Sequence, residues 1–245
     1  MTEELIDYTI EGKLTLPQLN DLNYRHDPTD IGLRVNEPMS VGCVIASKVY
    51  MGAMIRAPFN AKLMQAYYYY NDGISIQSSD VNIDNVNIMD IHPYAYGNHN
   101  HKDLIQLFNY DNKAHKLSNE PMRNVRIGRL AVVIGGDDKF IMHCTETCGY
   151  ENFRLFENGC IVREDFGECN NRYLISTTNA VNWVIGSPEY PIDPALICDR
   201  IIRIDGRKAG SKPSKNIVIH AVKGLRLELD DSAAAALTLH EYERV

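Results

Sequence analysis

Two short groups of histidine and cysteine residues are the first candidates for chemistry in this chain. His99 and His101 are two positions apart, which on a strand would place both imidazole rings on the same face. His143, Cys144 and Cys148 form the second group. A structural zinc site needs four converging ligands, and neither group is accompanied by a second pair at a suitable spacing. We therefore expect no metal site, and metal binding at either group stays open as the alternative.

The known catalytic and phosphate-binding motifs do not occur. The chain has no Gly-x-Ser-x-Gly and no His-Glu-x-x-His. Gly135-Gly136-Asp137-Asp138 lacks the following Lys-Ser/Thr of a phosphate loop and indicates a turn. A cysteine nucleophile and its histidine base are adjacent in space and not in sequence, so this chain alone cannot identify them. We therefore expect a protein that is not an enzyme.

Two other stretches could bind a partner. Tyr67-Tyr68-Tyr69-Tyr70 is the most unusual, because on a strand Tyr67 and Tyr69 would face one side and Tyr68 and Tyr70 the other. Tyrosine provides a large contact area and a hydroxyl group while losing little rotamer freedom, so the run predicts subunit contacts. A half-buried strand of an ordinary sheet is the alternative. A basic loop with weaker potential to bind phosphates contains Arg207, Lys208, Lys212 and Lys215.

The composition narrows the class of protein. The 245 residues include 32 acidic and 25 basic side chains, and the formal net charge of -7 argues against a general nucleic-acid binder. No apolar run is long enough to predict a membrane span. The acidic start lacks the features of a signal peptide. The 6 cysteines are expected to be reduced thiols in a cytosolic protein.

Short apolar runs broken by Asn, Asp and Gly predict a mainly β protein. Three turns, at residues 71–73, 135–138 and 157–159, each separate two apolar runs and predict β-hairpins. No internal repeat of about 20–50 residues is evident. The pattern therefore predicts a single domain, residues 1–245, with an antiparallel β-sandwich fold.

Helices are expected at both ends of this sandwich. Leu16, Leu19 and Leu22 would share one face of a short N-terminal helix within an arm at residues 1–30. The Ala-rich tail predicts a C-terminal helix from Asp231 or Ser232 through Arg244. The polar, His- and Asn-rich residues 93–124 predict an excursion from the sandwich.

Three segments, in the same order, resemble cypovirus polyhedrins, the occlusion-body proteins of insect reoviruses. Tyr69-Tyr70-Asn71-Asp72-Gly73 resembles their Tyr-Tyr-Ser-Asp-Gly hairpin. Phe153-Arg154 with Asn158-Gly159-Cys160-Ile161-Val162 is similar to a Tyr-Arg … Asp-Gly-Glu-Ile-Val hairpin. Cys198-Asp199, followed by apolar residues and Arg203, resembles a Cys-Asp-Leu-Ala-Leu-Arg strand. The segments cover a minority of the chain, and the Ala-rich tail has no counterpart.

This resemblance implies a structural protein with a β-sandwich fold. Its partners would be other copies of itself, first in trimers and then in a crystal lattice that embeds virus particles in the cytoplasm of an infected cell. The lattice would dissolve at alkaline pH. No cofactor would be required, although some polyhedrins hold nucleotides between subunits, for which the basic loop is the candidate here. The expected assembly contacts are Tyr67 to Tyr70 and Leu16, Leu19 and Leu22.

Tyrosine also offers a physical basis for alkaline release. Burial raises the pKa of a phenol, so its stabilising effect is complete below the unfolded value of about 10 and is lost as pH rises through the folded value. The main alternative is a soluble enzyme or ligand-binding β-sandwich with His99, His101, His143 and a cysteine around a pocket. A third possibility is a virion or host-interaction protein whose Tyr strand pairs with one partner.

Overall fold

The computed structural model describes residues 5–15, 29–90, 103–134, 140–145, 149–164, 173–196, 201–206 and 212–244. These ranges contain a 3-10 turn at Pro194–Leu196 and the α-helix α1 at Asp231–Ala236. The strands in chain order are β1 (Ile6–Glu11), β2 (Ile31–Val35), β3 (Met39–Val49), β4 (Met51–Ile55), β5 (Phe59–Tyr69), β6 (Ile74–Ile76), β7 (Val81–Asp90), β8 (Asp103–Leu107), β9 (Tyr110–Asp111), β10 (Lys116–Leu117), β11 (Met122–Arg123), β12 (Val125–Ile134), β13 (Phe140–Cys144), β14 (Tyr150–Glu151), β15 (Arg154–Leu155), β16 (Cys160–Glu164), β17 (Tyr173–Thr177), β18 (Val181–Ile185), β19 (Ile201–Ile204), β20 (Lys215–Val222), β21 (Arg226–Leu229) and β22 (Leu237–Tyr242).

The chain alternates between two large sheets. The 12-stranded sheet A contains β1, β3, β5, β7, β11, β12, β14, β15, β16, β18, β20 and β22. The 8-stranded sheet B contains β2, β4, β6, β8, β13, β17, β19 and β21. All the strand pairs within these two sheets are parallel, as in β3–β5 and β13–β17, and only the small β9–β10 pair is antiparallel among the described strands. Successive passes add strands to both sheets, so the chain winds as a parallel β-solenoid.

The predicted antiparallel β-sandwich is therefore wrong. The three predicted hairpins are also wrong, because the strands on the two sides of each expected turn do not pair with each other. Across residues 71–73, Tyr69 ends β5 in sheet A and Ile74 begins β6 in sheet B. Strands β12 and β13 likewise lie in different sheets, and β15 and β16 each pair with β12.

The predicted C-terminal helix through Arg244 is wrong as well, because α1 ends at Ala236. The Asp230 carboxylate caps α1 by accepting the backbone N–H of Ala233 at 2.8 Å. The chain then forms β22, which pairs with β20 and packs Leu237 and Leu239 against the core. This two-residue spacing suits a strand and overrides the helix propensity of the alanines. No helix within the described ranges has the length and apolar character needed to cross a membrane.

Two segments that were predicted to lie outside the sandwich, one in the N-terminal arm and one in the excursion, contain strands of the solenoid. Ile6–Glu11, within the predicted N-terminal arm, is β1 and pairs with β3 in sheet A. Asp103–Leu107, within the predicted excursion, is β8 and pairs with β6 and β13 in sheet B. Parallel register stacks equivalent apolar residues of successive strands inside the solenoid, which is where the core lies.

Aromatic side chains fill one part of this core. The rings of Phe153 and Trp183 are stacked with centroids 4.7 Å apart and planes at 6°. Tyr150 packs edge-on against both rings, and its backbone oxygen accepts the indole N–H of Trp183 at 2.8 Å. The polar atom of the indole is thus satisfied inside the core.

A ladder of polar side chains follows one corner of the solenoid. Its five members have φ angles between 50° and 62°: Asp80, Asn124, Asn152, Asn182 and Asn216. Each Asn amide donates to the side-chain oxygen of the preceding member, at 2.7, 3.2, 3.0 and 3.1 Å along the ladder. Asp and Asn tolerate the left-handed conformation that this corner requires, which explains their recurrence at this position.

Candidate functional site

A groove crosses the outer face of sheet A. Side chains alternate along β12, so Leu130 and Val132 are buried in the core while Arg129, Ala131 and Val133 point outward. Parallel register then aligns these outward residues with those of the neighbouring strands. The floor of the groove is therefore set by the pairing of β5, β7, β12 and β16.

Two rows of aligned side chains form this floor. The first row contains Gln65, Asn87, Ala131 and Ile161. The second row contains Tyr67, Met89, Val133 and Arg163. Together with Arg129 they line a groove of about 430 Å³. This volume lies within the usual range of small-molecule sites, about 300–1,000 Å³.

Two arginines in the groove carry charges that no described carboxylate neutralises. Arg129 and Arg163 form no salt bridge with any residue in the described ranges. In contrast, Arg126, which lies on β12 as Arg129 does, contacts Asp84 at 2.7 Å and Glu157 at 2.5 Å. Burial disfavours the charged form of Arg126, but the hydrogen bonds and charges of these carboxylates outweigh it and raise its pKa. The charges of Arg129 and Arg163 are therefore open to an anionic ligand.

The two arginines lie at opposite ends of the groove. Arg163 pairs with Val133, further along β12 than Arg129. With about 3.3 Å per residue and about 4.8 Å between strands, their Cα atoms are about 14 Å apart. The two side chains therefore start from opposite ends of the groove floor.

Asn87, in the first row, has a buried side-chain acceptor. Its Oδ1 atom has no hydrogen-bond donor among the described residues. Asn87 aligns with Ala131, which lies between Arg129 and Val133 on the neighbouring strand. An unmade hydrogen bond at a buried polar atom costs about 1–3 kcal/mol.

The tyrosine run is divided among different environments. Tyr67 points into the groove, Tyr69 is fully buried in the core, and the Tyr70 ring lies 5.7 Å from the Tyr50 ring. Tyr68 has a φ of 55°, which interrupts the alternation of the strand. Tyr67 and Tyr69 consequently face opposite sides, and the prediction that they share a face is wrong.

The two described lysines of the predicted basic loop do not line the groove. Lys212 and Lys215 are exposed, and Lys215 begins β20. The other members of the predicted assembly contacts and basic loop lie outside the described residues, namely Leu16, Leu19, Leu22, Arg207 and Lys208. No described residue of the groove comes from the C-terminal part of the solenoid where Lys212 and Lys215 lie.

His143 and Cys144 point to opposite faces of β13. Cys144 is buried in the core, where burial raises the pKa of its thiol. Nδ1 of His143 lies 3.2 Å from Oδ2 of Asp103. His99, His101 and Cys148 lie outside the described residues. Within the described ranges, no three His, Cys, Asp or Glu side chains are grouped so that they could hold a metal ion.

Arg129, Asn87 and Arg163 belong to no sequence motif, and they lie on three different strands. Only the parallel register brings them to one groove. The available sequence signal is the apolar run Leu130 to Ile134, which predicts a strand but does not assign Arg129 to one of its faces. No protein-family model, curated protein or solved structure matches this chain. The function is therefore inferred from the geometry and chemistry of the groove.

Proposed function

We propose that the protein binds an acidic oligosaccharide in the groove on the outer face of sheet A. The observation that supports this most strongly is the combination of two guanidinium groups without carboxylate partners, Arg129 and Arg163, with the Asn87 side chain, which lines the groove between them. The guanidinium groups can pair with anions, and the amide of Asn87 can form hydrogen bonds with hydroxyl groups. A ligand that carries both acidic groups and hydroxyl groups would complement both kinds of side chain.

The rest of the groove suits sugar rings. Guanidinium groups bind carboxylates and sulfates through paired, charge-assisted hydrogen bonds. Gln65 adds an amide that can both donate to and accept from hydroxyl groups. Tyr67, Ala131 and Ile161 provide apolar surface for the C–H faces of the rings. A saccharide presents hydroxyl groups at the edges of its rings and C–H groups on their faces, which matches this mixture of polar and apolar side chains.

The spacing of the arginines favours an oligomer over a small anion. The Cα atoms of the two arginines are about 14 Å apart, a span that a trisaccharide with acidic groups on its outer rings covers more readily than a monosaccharide or a simple carboxylate does. Nucleic acid fits less well, because its binding depends on many contacts between phosphates and Lys or Arg. Two free arginines on a chain of net charge -7 do not provide that number.

Calorimetric titration with three probes tests the proposal. Tri-galacturonate should bind, because it combines acidic groups with hydroxyl groups over the length of the groove. Maltotriose has the hydroxyl groups without the charges, and tricarballylate has carboxylates without sugar rings, so both should bind at least tenfold more weakly. Equal affinity for tricarballylate would indicate a simple anion site and overturn the saccharide assignment. No heat with tri-galacturonate would overturn it as well.

The occlusion-body function stays a separate prediction. The antiparallel sandwich implied by the polyhedrin resemblance is wrong, so the groove now provides the stronger basis for a function. Expression in insect cells tests lattice formation, on which the expected trimers, virus cargo and bound nucleotide depend. Intracellular crystals that dissolve in alkali would support this second function, and protein that stays soluble at high concentration would contradict it.

A further inference from the structure

At the C-terminal end of the solenoid, sheet A extends one strand further than sheet B does among the described strands. The chain passes from β20 in sheet A to β21 in sheet B, where β20 pairs with β18 and β21 pairs with β19. Sheet A then adds β22 beside β20, whereas β21 has no second partner among the described strands. β21 is therefore the edge strand of sheet B at this end.

The apolar side chains of this edge are less buried than their neighbours. Leu227 and Leu229 pack against the core and are only partly buried, although the two isoleucines of β19 that pair with them are fully buried. Leu237 and Leu239 on β22 are also only partly buried, beside two fully buried isoleucines of β20. The core of the last coil is thus covered less completely than that of the coil before it.

The backbone of β21 can accept a further strand at this edge. The N–H of Asp230 donates to the carbonyl oxygen of Ile204 on β19 at 2.9 Å. The backbone groups of successive residues in a strand point to opposite sides, so those of Leu227 and Leu229 point away from β19. Such a row of N–H and C=O groups on an edge strand can pair with a strand of another chain.

A cleft of about 560 Å³, which we call the edge cleft, follows β21. It is lined by the consecutive residues 227–231 together with Arg203 and Asp205. Successive side chains of a strand point to opposite faces, so both Leu227 and Glu228 can line one cleft only at the edge of β21. The edge cleft is therefore separate from the groove on the outer face of sheet A.

The outer side of the edge cleft carries negative charge. Glu228 and Asp231 form no salt bridge with any residue in the described ranges, and Glu228 accepts the Tyr173 hydroxyl at 3.2 Å. The guanidinium group of Arg203 contacts the Asp205 carboxylate at 2.8 Å. The carboxylates of Glu228 and Asp231 are therefore available to a basic partner.

We propose that β21 binds an extended segment of another protein in which basic residues alternate with apolar ones. The segment adds a strand to sheet B, and its main-chain hydrogen bonds to Leu227 and Leu229 provide the affinity. Its apolar side chains face the partly buried leucines of β21 and β22. Because the side chains of a strand alternate between its two faces, its basic side chains then face Glu228 and Asp231.

Fluorescence anisotropy with the labelled peptide Lys-Val-Lys-Val-Lys-Val-Lys tests this proposal. The pattern reads the same in both directions, so the test does not depend on the direction of the added strand. Wild-type protein should bind this peptide. The same peptide with all its backbone nitrogens methylated keeps its charge but has no N–H donors, and it should bind about tenfold more weakly or worse. Glu-Val-Glu-Val-Glu-Val-Glu should bind at least as weakly, because its charge is reversed. No binding of the lysine peptide, or equal binding of its methylated form, would overturn the proposal.

A pair of variants tests where the peptide binds. Glu228→Gln should weaken binding of the lysine peptide about twofold to fivefold, as expected for one exposed ion pair. Glu37→Gln is the matched control, because Glu37 is exposed and follows β2, the edge strand at the other end of sheet B. Equal affinity of the two variants would contradict the site, and Trp183 fluorescence serves as the folding control. Sedimentation velocity tests the other possible occupant. A dimer that the lysine peptide dissociates would assign the edge to a second copy of this chain and overturn the proposal.

Discussion

Nδ2 of Asn182 donates a hydrogen bond to Oδ1 of Asn152 over 3.0 Å, although both residues have left-handed backbone conformations, with φ of 54° and 62°. The bond joins two successive coils of the solenoid at a corner. It is one step of a ladder in which Asn124, Asn152 and Asn182 each donate one side-chain hydrogen bond and accept another. The ladder therefore stabilises a backbone conformation that most side chains would disfavour.

Replacement of Asn152 tests the contribution of this ladder. Asn152→Ala removes two side-chain hydrogen bonds and places a β-carbon in the left-handed region, so we expect a loss of about 2–3 kcal/mol in the free energy of unfolding. Asn152→Gly should cost less, because glycine adopts this conformation without strain. Urea denaturation followed by Trp183 fluorescence measures both. Asn60→Ala is the control, since Asn60 is exposed outside the ladder, and an equal loss there would contradict the account.

The stacked aromatic rings should dominate the stability of the central coils. Phe153→Ala leaves a cavity against Trp183 and should lower the free energy of unfolding by about 3–5 kcal/mol. Tyr190→Ala removes an aromatic ring that is 52% exposed and should change it by less than about 0.5 kcal/mol. Urea denaturation followed by circular dichroism compares the two variants. A similar loss in both would mean that the Phe153 stack is not a main contributor.

Alkaline pH should weaken the fold through a buried thiol. Burial raises the pKa of Cys160 to about 12, so the unfolded thiol ionises first. The stabilising effect is therefore complete below about pH 8.5 and is lost as pH rises toward the folded value. Relative to Cys160→Val, the wild type should lose about 2–3 kcal/mol between about pH 8.5 and 10.5. Urea midpoints across this range measure the difference.

Cys43→Val provides the control for this pH dependence. Cys43 is only partly buried, so replacing it should change the alkaline profile less. Tyr50, whose pKa is raised by burial and then by the charge of Asp72, is present in all three proteins and cancels from the comparison. Profiles for wild type and Cys160→Val that stay parallel through pH 10.5 would contradict the assignment.

The positions of many strands could be predicted from the sequence, but their pairing could not. The apolar runs on the two sides of residues 135–138 form β12 (Val125–Ile134) and β13 (Phe140–Cys144), as expected for strands. Alternation of apolar and polar residues has the same period in parallel and antiparallel sheets, so it does not define direction. The coil repeat was hidden because its length varies: Val41 pairs with Ala61, whereas Ile83 pairs with Ile127 after an inserted β9–β10 pair.

The candidate site was predictable only in part, because strand pairing brings its residues together and this pairing could not be predicted. Tyr67 stood out as a member of an unusual run, and it lines the groove. Arg129 and Asn87 resemble many other polar residues on strands, and their proximity follows from the register of β7 with β12. The positive φ of Tyr68, which separates Tyr67 from Tyr69, could not be expected for a bulky residue.

The most direct test of the groove is calorimetric titration of tri-galacturonate into wild type, Arg129→Ala, Arg163→Ala and Arg154→Ala. Arg154 is the matched control, because it is an exposed arginine on sheet A outside the groove. We predict that each groove variant binds at least tenfold more weakly than wild type, since a charge-assisted hydrogen bond contributes about 1.5–3 kcal/mol. Arg154→Ala should bind like wild type. Equal affinity in all four proteins, or a loss only in Arg154→Ala, would contradict the proposed function.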